Sequence, residues 1–216
     1  MLTQTTLATT LARFKIIPVI QINRVEQAPA LARALVDNGL PVAEVTFRSE
    51  GAADAIRLMK QACPKLCIGA GTILNGAQAE AALAAGAEFM VAPGLNPTTV
   101  KACRSLGVPF IPGINNPSQV EQALELELSL LKFFPAEASG GINMVKSLLA
   151  PYQQISLMPT GGLTLENAGD YLTLPRVICC GGTWLTPTRL VDDGAMDLIG
   201  QNVRQVVARF AIDARA

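Results

Sequence analysis

Eight short apolar runs, each separated from the next by a stretch of helical character, predict an α/β fold for this chain, a single compact (β/α)8 TIM barrel. The runs lack the apolar–polar alternation of half-exposed strands, as parallel strands buried on both faces do. Their spacing, mostly about twenty to twenty-five residues, leaves room for one strand and one helix per unit. Half of the 216 residues are apolar and only 16% are charged, a balance that suits one large core. An open doubly wound sheet is the alternative. No Gly-x-Gly-x-x-Gly follows the first run, so a dinucleotide fingerprint is absent.

Taken in order, residues 1–14 read as a lead or a short first helix of one domain spanning 1–216. The first strand is 15–20 (KIIPVI). Asn23 and Glu26 then have capping-box spacing, and Val25, Ala28, Ala32, Leu35 and Val36 keep one helical face, with Pro29 as a defect inside it. Strand two is 42–47 (VAEVTF), followed by a helix over 52–62. Strand three is 65–70 (KLCIGA), and Asn75 with Gln78 caps the next helix. Strand four is 88–92. Asn96-Pro97 and Asn116-Pro117, a cap followed by proline in the first turn, open helices on either side of strand five, 108–112. Strands six to eight are 128–134, 155–158 and 176–180. Thr186-Pro187 opens a terminal helical stretch whose apolar face is Leu190, Met196, Ile199, Val203, Val206, Val207 and Phe210.

Seventeen basic and seventeen acidic residues cancel, and the basic ones are scattered, so neither nucleic acid nor an anionic membrane is an expected partner. No secretory signal or membrane span is read. The five cysteines (Cys63, Cys67, Cys103, Cys179 and Cys180) sit in apolar sequence and read as reduced core residues of a cytoplasmic protein. With no histidine in the chain and no ligand spacing among the cysteines, neither a metal nor a cofactor is expected.

That missing histidine directs attention to Lys132, enclosed by Leu130, Leu131, Phe133 and Phe134 near the end of the sixth strand. A buried lysine snorkels, finds a partner or loses its proton. An amine made neutral by desolvation is the nucleophile of Schiff-base chemistry. In a barrel the carboxyl ends of the strands share one mouth. Those ends carry Glu44, Thr46 and Arg48 after strand two, Thr72 after three, Pro93 after four and Pro112-Gly113 after five. Thr160-Gly161-Gly162 and Gly181-Gly182-Thr183 follow strands seven and eight. Period two puts Glu44 and Thr46 on one face, and Arg48 joins them if the chain stays extended. Paired glycines after the last two strands expose backbone N–H groups to a phosphate. Trp184 reads as a packing residue.

The segments Glu44-Val45-Thr46-Phe47-Arg48, Gly69-Ala70-Gly71-Thr72, Pro93-Gly94-Leu95, Pro112-Gly113-Ile114, Lys132-Phe133-Phe134-Pro135-Ala136-Glu137, Pro159-Thr160-Gly161-Gly162 and Gly181-Gly182-Thr183-Trp184 together resemble the 2-keto-3-deoxy-6-phosphogluconate (KDPG) aldolase family, many of whose members also act as 4-hydroxy-2-oxoglutarate aldolases. The resemblance runs from about Lys15 to the terminal helix. It implies a trimeric class I aldolase on a (β/α)8 barrel that needs no cofactor and acts on keto acid and aldehyde substrates. Lys132 is then the Schiff-base lysine and Glu44 the general acid/base. Arg48, Thr72, Pro93 and Thr160 fall at the keto acid, and Gly161, Gly162, Gly181, Gly182 and Thr183 at the phosphate. Phe47, Ala92 and Thr183 depart from the family's more frequent leucine, serine and serine, and Arg48 favours the gluconate-type members. Cleavage of 4-hydroxy-2-oxoglutarate as the main activity, a phosphate-using isomerase or synthase, and a non-catalytic phosphate-binding barrel are the competing readings. Met90, Phe110 and the terminal helix are candidate contacts between subunits.

Overall fold

A computed structural model describes residues 3–212. Its strands are β1 (Ile16–Ile20), β2 (Val42–Thr46), β3 (Cys67–Gly71), β4 (Phe89–Val91), β5 (Phe110–Ile111), β6 (Gly113–Ile114), β7 (Leu130–Phe133), β8 (Ser156–Pro159) and β9 (Cys180–Gly182). Every ladder between them is parallel. Strands β1 and β2 are buried at every position, which accounts for their unbroken apolar sequence.

The ladders form two sheets, one of six strands in the order β5-β4-β3-β2-β1-β9 and one of three in the order β6-β7-β8. The fold is therefore α/β with a parallel sheet, as expected, but its regular ladder is not one eight-stranded ring. The expected fifth strand, 108–112, is regular only over Phe110–Ile111, and Pro112, which has no N–H to donate, separates it from β6, which lies beyond the expected end. The Pro112 carbonyl still accepts from Lys132 N at 2.8 Å. At the other seam two isolated bridges, Leu157↔Val177 and Thr160↔Gly181, join the edges of the sheets. The eighth strand also lies later than expected: Arg176 has a left-handed φ of +70°, so regular pairing resumes only at Cys180. Gly181 and Gly182, expected to follow the eighth strand, are instead part of it and paired with Ile17 and Pro18 of β1.

Helices α2 (Ala28–Asp37), α3 (Ala52–Ala62), α4 (Gly76–Ala84), α5 (Pro97–Ser105), α6 (Pro117–Glu125), α7 (Gly141–Leu149), α8 (Ala168–Leu172), α9 (Thr188–Asp192) and α10 (Met196–Phe210) alternate with the strands. Each of the longer ones turns an apolar stripe inward, such as Ala52, Ala55, Ile56 and Met59 of α3. Three expected caps form: Asn75 Oδ1 accepts from Gln78 N, Asn96 Oδ1 from Thr98 N, and Asn116 Oδ1 from Gln119 N, at 2.9 to 3.0 Å. The Asn23–Glu26 capping box does not. A 3-10 turn over Val25–Gln27 intervenes, and α2 begins late enough that Pro29 occupies its first turn, where no N–H is required. Asn23 Nδ2 donates instead to Asp192 Oδ2 at 2.8 Å. The terminal stretch is two helices, broken at Gly194 with φ +68°.

Helix α1 (Gln4–Phe14) is the short first helix, with Leu7, Leu11 and Phe14 buried; residues 1–2 lie outside the described part. Its first residue braces the seam between the sheets. Gln4 Nε2 donates to Phe110 O (2.7 Å) and Leu130 O (3.2 Å), while Gln4 Oε1 accepts from the N–H groups of Ser129 and Leu130. The carboxamide so satisfies strand-edge groups that Pro112 and the sheet break leave without ladder partners. One apolar core runs continuously from Leu7 to Ile212. Met90 and Phe110 belong to it, which removes them as subunit contacts. Among the described residues, no helix is long and apolar enough to cross a membrane.

All five cysteines are free thiols. Burial pushes Cys103 up to about 11, burial and then Glu88 push Cys67 up to about 12, and burial drives Cys179 and Cys180 well up. The folded state therefore holds these thiols protonated, while an unfolded chain ionises them near 9.0. That contribution to stability is complete below the unfolded value and is lost progressively above it. The urea midpoint is expected to be lower at about pH 10 than at about pH 8, and at the lower pH Cys103, Cys179 and Cys180 should resist alkylation until the protein unfolds.

Candidate active site

The site is assembled at the carboxyl ends of the strands. Lys132 is the third residue of β7 and Glu44 the third of β2. Although 88 residues apart and in different sheets, they meet inside the fold: Lys132 Nζ donates to Glu44 Oε1 at 3.2 Å. Glu44 is fully buried and Lys132 is 5% exposed. The lysine therefore resolves its burial through a partner. Its ammonium also lies 5.4 Å from the centroid of the Phe134 ring. Glu44 Oε2 is buried and has no hydrogen-bond partner.

A cavity of about 210 Å³ opens over this pair. Of the strand-end residues singled out in the sequence, Glu44, Thr46, Arg48, Thr72, Pro93, Lys132, Thr160, Gly161, Gly162, Gly181, Gly182 and Thr183 line it, whereas Pro112 and Gly113 do not. Phe134, which encloses Lys132 in the sequence, lines it too, as do Val19 and Leu163, which no feature of their type marked beforehand. Thr160 Oγ1 is a second buried polar atom without a partner. Orphaned polar atoms of this kind are uncommon in protein interiors, and the presence of two of them on residues that line one cavity suits groups that wait for a substrate, although Trp184, Thr186 and Asp192 carry others away from its lining.

Backbone geometry holds the lining in place. Thr72, just past β3, has φ +59°, an unfavourable conformation for a β-branched residue. Gly71 before it faces the acid: a Cβ there would lie 2.3 Å from Glu44 Oε1, so only glycine leaves room for the carboxylate. Gly161 and Gly162 follow β8 with φ +105° and +78°. Their loop is tied to the turn after Lys132, since Thr160 O accepts from Ala136 N (2.8 Å) and Gly161 O from Glu137 N (3.1 Å). The Phe134–Pro135 peptide bond in that turn is cis. Tyr171 donates its hydroxyl to Glu137 Oε1, and burial followed by this carboxylate holds the phenol well above its ordinary range. Trp184, the expected packing residue, lies against Gly182, where any Cβ would strike its ring.

A lysine amine held against a buried carboxylate and beside glycine loops defines an α/β enzyme equipped for amine-based carbonyl chemistry. The family described as "KDPG and KHG aldolase" matches residues 7–202. A 2-dehydro-3-deoxy-phosphogluconate aldolase of Haemophilus influenzae is 50% identical over 197 residues, covering 91% of this chain and 93% of that protein. A KHG/KDPG aldolase of Escherichia coli K12 is 40% identical over 192 residues, covering 89% and 90%. Among solved structures, a KDPG aldolase of Legionella pneumophila, holding pyruvate as a covalent carbinolamine intermediate, superposes with a TM-score of 0.88 at 36% identity, covering 92% of this chain and 97% of that one. The Zymomonas mobilis 2-keto-3-deoxy-6-phosphogluconate aldolase with 3-phosphoglycerate gives 0.87 at 36%, covering 93% and 95%.

The chain belongs to the KDPG and KHG aldolase family. It is accordingly a carbon–carbon lyase, and the readings as an isomerase or a non-catalytic binding protein fall away.

The contact between Gly71 and the acid makes a direct prediction. Gly71→Ala is expected to displace the Glu44 carboxylate and lower aldolase turnover roughly a hundredfold, the cost of about an ångström of misplacement. Gly76→Ala, whose Cβ would meet only the Ala102 methyl at 3.4 Å, should leave turnover unchanged. Steady-state assays of both, with circular dichroism to confirm folding, check the difference.

Proposed function

We propose that this cavity cleaves 2-keto-3-deoxy-6-phosphogluconate reversibly to pyruvate and glyceraldehyde 3-phosphate through a Schiff base on Lys132. The observation that carries the reading is the buried 3.2 Å contact between Lys132 Nζ and Glu44 Oε1 within a cavity edged by Arg48 and the glycine loops. Transfer of one proton across that contact leaves a neutral amine, which attacks the C2 ketone. The carbinolamine hydroxyl takes the proton back from Glu44 and leaves as water, giving an iminium. Glu44, again a carboxylate, removes the C4 hydroxyl proton. The C3–C4 bond breaks, its electrons pass to the iminium, and glyceraldehyde 3-phosphate departs. Protonation of the enamine at C3 by Glu44 gives the pyruvate iminium, which water hydrolyses. One carboxylate thus handles every proton, as a reversible reaction requires.

Arg48 pairs with the keto acid carboxylate, with Thr72, Pro93 and Thr160 around it. Gly161, Gly162, Gly181, Gly182 and Thr183 hold the phosphate, the donors coming chiefly from Gly161, Gly162 and Thr183 because Gly181 and Gly182 are engaged in β9. The unphosphorylated substrate 4-hydroxy-2-oxoglutarate is a second one, since its reacting atoms are the same and a relative at 40% identity is described as a KHG/KDPG aldolase. The two sheets act as one closed ring, supported by the bridges at one seam and Gln4 at the other, and 1–216 acts as one domain. A cytoplasmic homotrimer completes the reading; the exposed Leu74 (51%) and Leu198 (47%) are consistent with a further contact surface.

Lys132→Ala is expected to abolish cleavage. Glu44→Gln should retain imine formation yet slow cleavage by roughly two orders of magnitude, the usual share of a general acid/base. Coupled assays of glyceraldehyde 3-phosphate release test both, and a Glu44→Gln protein with the parent's cleavage rate would remove Glu44 from this role. Omitting the substrate phosphate should raise KM more than it lowers kcat.

A further inference from the structure

Thr46, the last residue of β2, lines the cavity between Glu44 and Arg48 and is 2% exposed. Its hydroxyl oxygen lies 2.9 Å from Ile20 O and 3.1 Å from Arg48 Nε. A carbonyl oxygen can only accept and a guanidinium N–H can only donate. The single hydroxyl proton therefore goes to Ile20, and a lone pair of Thr46 receives Arg48. Both assignments follow without choosing a rotamer for the hydrogen.

Arg48 stands outside the strand, in the turn that follows it, on a long and flexible side chain. Among the described residues no carboxylate pairs with it, and its Nη groups have no hydrogen-bond partner, so its outer fork is open to the cavity. We propose that Thr46 is a positioning residue for substrate recognition: by relaying the Ile20 carbonyl of β1 to Arg48 Nε, it anchors the guanidinium at its inner edge. The outer fork then faces the keto acid carboxylate already ordered. Binding is tighter because less side-chain freedom remains to be lost. This inference rests on the reading of Arg48 as the carboxylate partner. The relay also gives the hydroxyl a use at a buried strand position where valine has nearly the same shape.

The test uses Thr46→Val, which keeps the shape and removes the relay, and Thr46→Ser, which keeps the relay. In Thr46→Val the KM for the keto acid substrate is expected to rise roughly tenfold, as for a lost hydrogen bond to a charged group, with kcat within a factor of about three. Thr46→Ser should restore the parent KM. A second readout needs no turnover: the Arg48 Nε–H cross-peak in a proton–nitrogen spectrum, assigned by its loss in Arg48→Lys. It should exchange slowly in the parent and in Thr46→Ser, and fast in Thr46→Val. Parent KM and slow exchange in Thr46→Val would overturn the inference. Should Thr46→Val not fold, fast Nε–H exchange in the parent protein itself would do the same. A parent protein unable to cleave the keto acid would instead defeat the aldolase reading, while the cross-peak still decides whether Thr46 anchors Arg48.

Discussion

The contact between Lys132 and Glu44 sets the terms for the rest of the molecule. Its two partners come from different sheets, so it exists only when both sheets are docked around one interior. Removing two charged side chains from water is costly, and mutual attraction offsets that cost only at close range and with fixed geometry. The fold provides the fixation with rigid elements: both residues sit within strands, not on loops. Breaking such a pair leaves one charge buried alone, which ties the integrity of the site to the integrity of the core.

The same demand accounts for features that would otherwise look like defects. Gly71 weakens a central strand, yet any side chain there would occupy the carboxylate's position. Thr72 accepts a left-handed backbone at the rim of the cavity. Glu44 Oε2 and Thr160 Oγ1 remain without protein partners. Each of these is a cost to stability, and each lies at or beside the cavity. Away from it, the caps of α4, α5 and α6 and the four hydrogen bonds of Gln4 are fully made.

Much of this was legible in the chain because it depends on local chemistry. Unbroken apolar runs marked the buried strands, and Asn-Pro pairs marked two helix starts at the residue. The lysine enclosed by leucines and phenylalanines marked the center of the site. Less local features left no such trace. Gln4 is one polar residue among several in a threonine-rich lead, and only the break at Pro112 explains what it satisfies. The separation of the strands into two sheets follows from that proline and from the backbone at Arg176, a residue type that gives no hint of positive φ. Gly181 and Gly182 read as lying past the eighth strand because the apolar run ends at Cys180. They pair with β1, and the Thr160 hydroxyl and the Trp184 ring occupy the space that side chains there would need. The helix boundary near Asn23 was misplaced because the side chain found a distant acceptor in Asp192. That Lys132 and Glu44 touch, across 88 residues, is a property of the tertiary fold alone.

The most direct test of the central claim is borohydride reduction of the intact protein in the presence of pyruvate, followed by whole-protein mass measurement and peptide mapping. The account predicts a single reduced pyruvyl adduct, borne by Lys132, with none when pyruvate is omitted. A folded protein that takes up no adduct between neutral and mildly alkaline pH, or carries it on a different lysine, would contradict it.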